Sequence, residues 1–168
     1  KALAGKRRRS ASVELAKHLL AAQLPLQAYP VLINAARRAA RARNNQEVFA
    51  LCKQARAIQK ECESRTDYAE TIRLRRWLYL LLGEAHLHRS EWQDAADALE
   101  HAIAAARLEN DPSGLAKCLS AYGRALYRLN RLQEALIPLR ESLKTFEPGA
   151  PESAGATRAL ADIALQDG

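Results

Sequence analysis

The sequence predicts an all-α fold, an antiparallel helix-hairpin solenoid of about eight helices, on three observations. Apolar residues recur every three or four positions nearly throughout the chain. Period-two alternation is almost absent, and no Asn-Gly hairpin signal occurs. The stretch "SEWQDAADALEHAIAAA" at 90–106 returns 40 residues later as "NRLQEALIPLRESLKTF" at 130–146.

The elements follow in order. A first helix is expected at 10–22, with Ser10 or Ser12 as its cap. "QLP" at 23–25 breaks it, and a second helix covers 26–42. "NN" at 44–45 separates that helix from a third at 46–63. "SRTD" at 64–67 leads into a fourth helix at 67–89, with a less regular start from Thr66 to Glu70. "RSE" precedes a fifth helix at 91–108. "ENDPSG" at 109–114 starts the sixth, 113–129, where Asp111 precedes Pro112 near the first turn. "LNR" introduces a seventh helix at 131–146. After "EPGAP" the eighth covers 152–166. The six prolines are expected to cluster near these helix ends.

Composition fits one domain of 168 residues. It is 48% apolar yet 5% aromatic, so the core must be built from Leu, Ala, Ile and Val. No run of 18 apolar residues occurs, so no membrane span is expected, and no signal peptide is visible. Cys52, Cys62 and Cys118 lack metal-site spacing and read as free thiols in a reducing cytoplasm. The chain starts at Lys1 without Met, and a piece of a longer protein is expected. Net charge is +7, concentrated in "KRRR" (6–9) and "RRAARAR" (37–43). The first reads as a flexible arm or linker end covering 1–9. The second places Arg on most sides of a helix turn, so solvated surface is expected.

At a shift of 40, Gly83 falls on Gly123, Gln93 on Gln133, Ala95 on Ala135 and Leu99 on Leu139. Small residues let helix axes approach closer than the usual spacing of about 8–10 Å. Gly83, Ala95, Ala102, Gly123 and Ala135 are such positions. Leu82, Leu99, Tyr122 and Leu139 are expected to fill the seam between neighbouring hairpins. One hairpin cannot bury its apolar stripe alone, so the units stack. Two earlier segments fit more loosely, through Ala28, Leu32 and Ala35 and through Val48, Cys52 and Ala55. Their spacing of 20 implies that helix 26–42 does double duty, second in one hairpin and first in the next.

"LLGEAHLHRSEWQDAADALEHAI" and "AYGRALYRLNRLQEALIPLRESL" resemble tetratricopeptide repeats. The family's large-residue, Leu-Gly and Ala markers fall on Tyr79, Leu82-Gly83, His86, Ala95, Leu99 and Ala102. In the later copy they fall on Leu119, Tyr122-Gly123, Leu126, Ala135, Leu139 and Ser142. The closing Pro is shifted to Pro148, and a 40-residue period exceeds the usual 34. The resemblance implies a right-handed superhelix over 10–168. Its best repeats are 76–108 and 116–148, with 10–63 weaker and 152–166 a capping helix or the start of another unit. "LAKHLLAAQLPLQAYPVLINAARRAA" at 15–40 is similar to the segment after the ATPase module of large bacterial signalling proteins, LuxR-type and other STAND regulators. That likeness implies a sensor and scaffold region with an effector or partner to bind.

Catalytic and cofactor chemistry finds little support. "LAGKRRRS" lacks the first Gly of a phosphate loop, and no strand precedes it. His86 and His88 lie roughly 200° apart around a helix, so they do not chelate one metal easily. His18 and His101 lack an acid and a nucleophile at informative spacing. Glu61, Glu63, Asp67 and Glu70 read as a solvated helix end. "RRRSAS" resembles a kinase target at Ser10, with helix capping the plainer reading. No enzyme activity, cofactor or metal is expected.

The leading expectation is a partner-binding groove on the first helices of the hairpins. Lys117, Ser120, Arg124, Tyr127 and Arg128 share most of one stripe, and Arg73, Trp77, Glu84 and His88 are the candidates on the preceding first helix. Arginine forks bind carboxylates bidentately, so an acidic protein or peptide, or another domain of the parent chain, is the expected partner. Nucleic-acid binding through the basic surface is the alternative, without aromatic residues placed beside those arginines. Self-association through unfinished end faces stays open, and no membrane contact is expected.

Overall fold

A computed structural model of the chain describes residues 2–65, 67–146 and 152–166, with side chains from residue 11 to 165. Eight helices run in sequence: α1 (Ala2–Ala21), α2 (Pro25–Arg41), α3 (Asn45–Glu63), α4 (Tyr68–His88), α5 (Trp92–Glu109), α6 (Pro112–Arg128), α7 (Leu132–Thr145) and α8 (Ala154–Gln166). Among the described residues there is no strand. Seven helices begin within two residues of the expected positions. α1 begins at Ala2, so the backbone at 6–9 is helical where an arm was expected. The side chains of "KRRR" and of Ser10, together with Thr66 and Pro148, lie outside the described residues.

The caps follow local chemistry. Asn44 accepts from the Glu47 backbone N–H at 3.3 Å, and Asp111 accepts from that of Gly114 at 3.0 Å. Asp67 starts α4 by accepting from Ala69 and Glu70 at 3.0 and 3.3 Å. Two prolines depart from the expected end positions: Pro30 and Pro138 lie inside α2 and α7.

Four turns are built alike. Gln23, Arg43, Ser90 and Asn130 each adopt positive φ, between 56° and 62°. In each turn the next residue's N–H reaches back five residues: Leu24 to Leu19, Asn44 to Ala39, Glu91 to His86 and Arg131 to Leu126, at 2.9 to 3.1 Å. This is the Schellman arrangement, which satisfies helix-end carbonyls. None of the four uses Gly, and an L-residue there is strained by about 1–2 kcal/mol. Ser90→Gly is therefore expected to stabilise the protein by about 0.5–1 kcal/mol, because glycine's extra unfolded-state entropy offsets part of the gain. A urea midpoint that falls instead contradicts this.

The tight turns define the hairpins. The most closely packed pairs are α4–α5, α6–α7 and α2–α3. α2 also touches α4 directly, as α4 touches α6 and α6 touches α8. So α2, α4, α6 and α8 form one layer of first helices. α2 is entered and left through turns of the same kind, at Gln23 and Arg43, and it packs on both α1 and α3.

Three apolar clusters run along the stack. The first joins α1 to α4, the second α4 to α6, and the third α6 to α8. Trp77 and Tyr79 pack against both the first and the second, and Tyr122 against the second and third. Leu82 lies in the first cluster and Tyr122 packs between the second and third; the Tyr122 hydroxyl donates to Glu100 at 2.7 Å. Leu99 and Leu139 do more than fill a seam: each lies over the glycine of its own hairpin. A Cβ on Gly83 would sit 2.4 Å from Leu99 Cγ, and one on Gly123 would sit 2.5 Å from Leu139 Cγ. Ala95, Ala102 and Ala135 are fully buried beside these contacts.

The short connection between α5 and α6, Asn110 and Asp111, has its own lock. Arg76 of α4 is buried, 4% exposed, and donates to Glu109 through Nε and through Nη2 at 3.3 Å. Its Nη2 also lies 3.2 Å from Asp111. Gly114 leaves room for that guanidinium, since a Cβ there would fall 2.8 Å from Arg76 Cζ.

Candidate functional site

The first helices converge on a cleft of about 590 Å³ between α4, α6 and α8, with the start of α5 at its rim. α4 contributes Glu84, Leu87 and His88, and α5 contributes Trp92. α6 contributes Arg124, Tyr127 and Arg128. α8 adds Arg158 and Asp162 beside the small residues Ala154, Gly155 and Ala159. Positions 124, 127 and 128 share a face because helical neighbours three and four apart line up. The size matches sites that hold a few side chains of a ligand.

Arg124, Arg128 and Arg158 face Glu84 and Asp162 in the walls. The Arg128 guanidinium stands 5.2 Å over the Trp92 ring. Arg124 Nε is buried in the wall without a hydrogen-bond partner. A buried donor left unpaired is unfavourable, and an anionic acceptor would relieve it. Asp162 accepts from the Tyr127 hydroxyl at 3.3 Å, which fixes α8 against α6.

Glu84 is the other acid in the cleft. Burial pushes its carboxyl above the usual range, against the opposing pull of Arg124, His88 and Lys117. An acid whose folded pKa is raised disfavours folding once pH exceeds its unfolded value, and the penalty vanishes in acid. Glu84→Gln is therefore expected to melt higher than the parent at pH 7. The difference should close as pH falls to about 4, near the ordinary carboxyl value. Equal melting at pH 7 contradicts this.

Of the expected groove residues, Glu84, His88, Arg124, Tyr127 and Arg128 meet in the cleft. Lys117 acts on it through the field at Glu84. Ser120 is buried and 5% exposed, so its hydroxyl does not face a ligand. Arg73 and Trp77 lie elsewhere. Arg73 is exposed, 3.9 Å from Glu70, and Trp77 packs beneath Arg37 and Arg76 toward α2. Trp92, Arg158 and Asp162 were not anticipated. Treating the last helix as a first helix in the same layer would have placed Arg158 and Asp162 beside α6.

His86 does not face the cleft. Its Nδ1 lies 2.6 Å from Glu91 and its ring meets Phe49 edge-on at 5.3 Å. Asp94 brings a third ligand-type atom, a carboxylate oxygen, within 4.8 Å. Arg89, 2.8 Å from Glu91, already supplies positive charge there, and the cluster ties the α4–α5 turn. Glu61, Glu63 and Glu70 each face an arginine, at 3.9, 2.7 and 3.9 Å. Cys52, Cys62 and Cys118 are buried outside any disulfide, and burial pushes Cys52 and Cys118 up to about 12. These are inert core thiols. No described helix is long and apolar enough to cross a membrane.

Residues 74–147, from α4 through α7, match the tetratricopeptide repeat family. That family's repeats generally mediate protein–protein interaction. No curated protein and no solved structure matches the chain.

Proposed function

We propose that this chain is a non-catalytic interaction module that holds an extended, acidic protein segment in the α4–α6–α8 cleft. The observation that carries the reading is the unpartnered, buried Nε of Arg124 beside Arg128 and Arg158. A carboxylate entering the cleft gives that donor an acceptor and places its charge among three guanidinium groups. Leu87, Ala159 and the Trp92 ring supply apolar contact for the ligand's backbone and aliphatic carbons. Such a segment binds as a preformed surface's guest, without chemistry at its bonds.

The setting we favour is the sensor or partner-binding region of a larger bacterial signalling or transcription-regulatory protein, in the cytoplasm. The likeness of residues 15–40 to the segment following STAND ATPase modules supports it. The partner is then another protein or another domain of the same chain.

Selection of peptides from a random displayed library tests the reading. Peptides enriched on the parent chain are expected to be rich in Asp and Glu. They should bind Arg124→Glu with Arg128→Glu at least about tenfold weaker, as loss of charge-assisted hydrogen bonds requires. Circular dichroism of that variant should be unchanged. Basic selected peptides, or binding indifferent to the two substitutions, overturn the proposal. So does oligonucleotide binding with a steep salt slope that out-competes the peptides.

A further inference from the structure

We propose that a second site, formed by Asn34, Arg37, Arg38 and Arg41 of α2 with Trp77 of α4, recognises a phosphoryl group on a partner protein segment. It uses residues outside the cleft, and its choice of a protein segment over nucleic acid rests in part on the cleft reading. Positions 34, 37, 38 and 41 are spaced for one helix face and line a shallow concavity of about 250 Å³. Arg37 is folded down, its guanidinium 3.9 Å over the Trp77 ring. Arg76 approaches the same ring at 4.8 Å.

The charge there is unbalanced. Arg76 is neutralised by Glu109 and Asp111. Among the described residues, Arg37, Arg38 and Arg41 have no carboxylate within ion-pair distance, and Asn34 is the polar neighbour that Arg37 reaches, at 3.4 Å. Arg73 has only Glu70, at 3.9 Å and well exposed. Burial, then the nearby Arg41, Arg76 and Arg73, makes the Arg37 cation easier to deprotonate than usual. A cation held among cations is relieved by an anion. A phosphoryl group carries about −1.5 to −2 charge and three acceptor oxygens, which suits several guanidinium forks better than one carboxylate does.

Two observations favour a phosphorylated protein segment over nucleic acid. Single-strand binding needs open aromatic faces for base stacking, and Arg37 covers Trp77 at 3.9 Å. The site also continues the layer that carries the cleft. Trp77 and Glu84 both lie on α4, two turns and about 10.5 Å apart. About three extended residues span that distance.

The test uses N-acetyl-phosphoserine amide and N-acetyl-aspartate amide as probes. Each is titrated into nitrogen-labelled protein while the Nε–Hε resonances of Arg37 and Arg41 are followed. The phosphoryl probe is expected to bind about tenfold more tightly or better, with both resonances shifting. Arg37→Gln with Arg41→Gln should abolish the preference. Arg38→Gln with Arg41→Gln, both exposed, should reduce it should the first variant prove unstable. Arg124→Glu with Arg128→Glu should leave it intact, which separates this site from the cleft. Equal affinity for the two probes overturns the proposal, as does a preference that survives the arginine substitutions. Tighter binding of an oligothymidylate than of a phosphoserine peptide of equal charge overturns it in favour of nucleic acid.

Discussion

Gly83→Leu is expected to destabilise the protein by about 3 kcal/mol or more, at the upper end of overpacking effects. Glycine in mid-helix is ordinarily a weakness, and alanine there would gain about 1 kcal/mol in helix propensity. Here the close approach of α4 and α5 reverses the sign. The first side-chain carbon alone would lie 2.4, 2.7 and 3.1 Å from three carbons of Leu99. Leu99 is 0% exposed and held among Ala95, Ala96 and Ala102, so it has no vacant space to enter. The helices must part, and interiors tolerate such parting poorly. Gly123→Leu should behave alike, since Leu139 supplies two side-chain carbons and its backbone nitrogen, at 2.5, 2.6 and 3.3 Å. Urea denaturation followed by circular dichroism measures both. Wild-type midpoints for either variant contradict the packing described.

Arg76→Met should destabilise by about 2–3 kcal/mol, more than any exposed arginine in the chain. Breaking a buried ion pair from one side leaves the partner charge uncompensated, at about 3–5 kcal/mol when both groups are deeply buried. The expectation is discounted because the Glu109 and Asp111 side chains are 19% and 36% exposed. The loss should be local first. Amide hydrogens of 109–114 should exchange faster, because Arg76 is what ties that connection to α4. Arg76→Lys should recover only part of the loss, since an ammonium lacks the fork that reaches Glu109 and Asp111 together. Unchanged exchange at 109–114 in Arg76→Met contradicts the lock.

How much of this was legible in the sequence depends on the range of the interaction. Helices α2 to α8 were legible because a 3.6-residue apolar period and Pro, Asn and Asp breaks are local signals. The glycine contacts were legible because the 40-residue repeat placed Gly83 and Gly123 in register. The turns were not. Gln23, Arg43, Ser90 and Asn130 carry no glycine signature, and the helices on either side impose the positive φ on them.

Arg76 was illegible for a related reason. It sits in "RLRRWLYL" with Arg73 and Arg75, and its carboxylate partners lie 33 and 35 residues away. Charge pattern alone cannot say which of the three is buried. Of the α6 stripe, Arg124, Tyr127 and Arg128 line the cleft, while Ser120 is buried and Trp77 of α4 packs under Arg37 and Arg76. The neighbouring arginines in the sequence do not reveal that the Trp77 ring turns toward Arg37 of α2.

The central physical claim is that Leu99 occupies the space a glycine side chain leaves vacant, and that this contact sets the spacing of the α4–α5 hairpin. A double-mutant cycle of Gly83→Ala and Leu99→Ala, read by urea denaturation, tests it most directly. Leu99→Ala alone should destabilise by about 2–5 kcal/mol as a buried truncation, and Gly83→Ala alone by about 1–2 kcal/mol. Combined, the new methyl enters the space Leu99 vacates, and the double variant should be at least about 1 kcal/mol more stable than the sum predicts. Strict additivity, with Gly83→Ala stabilising through helix propensity alone, would contradict the account.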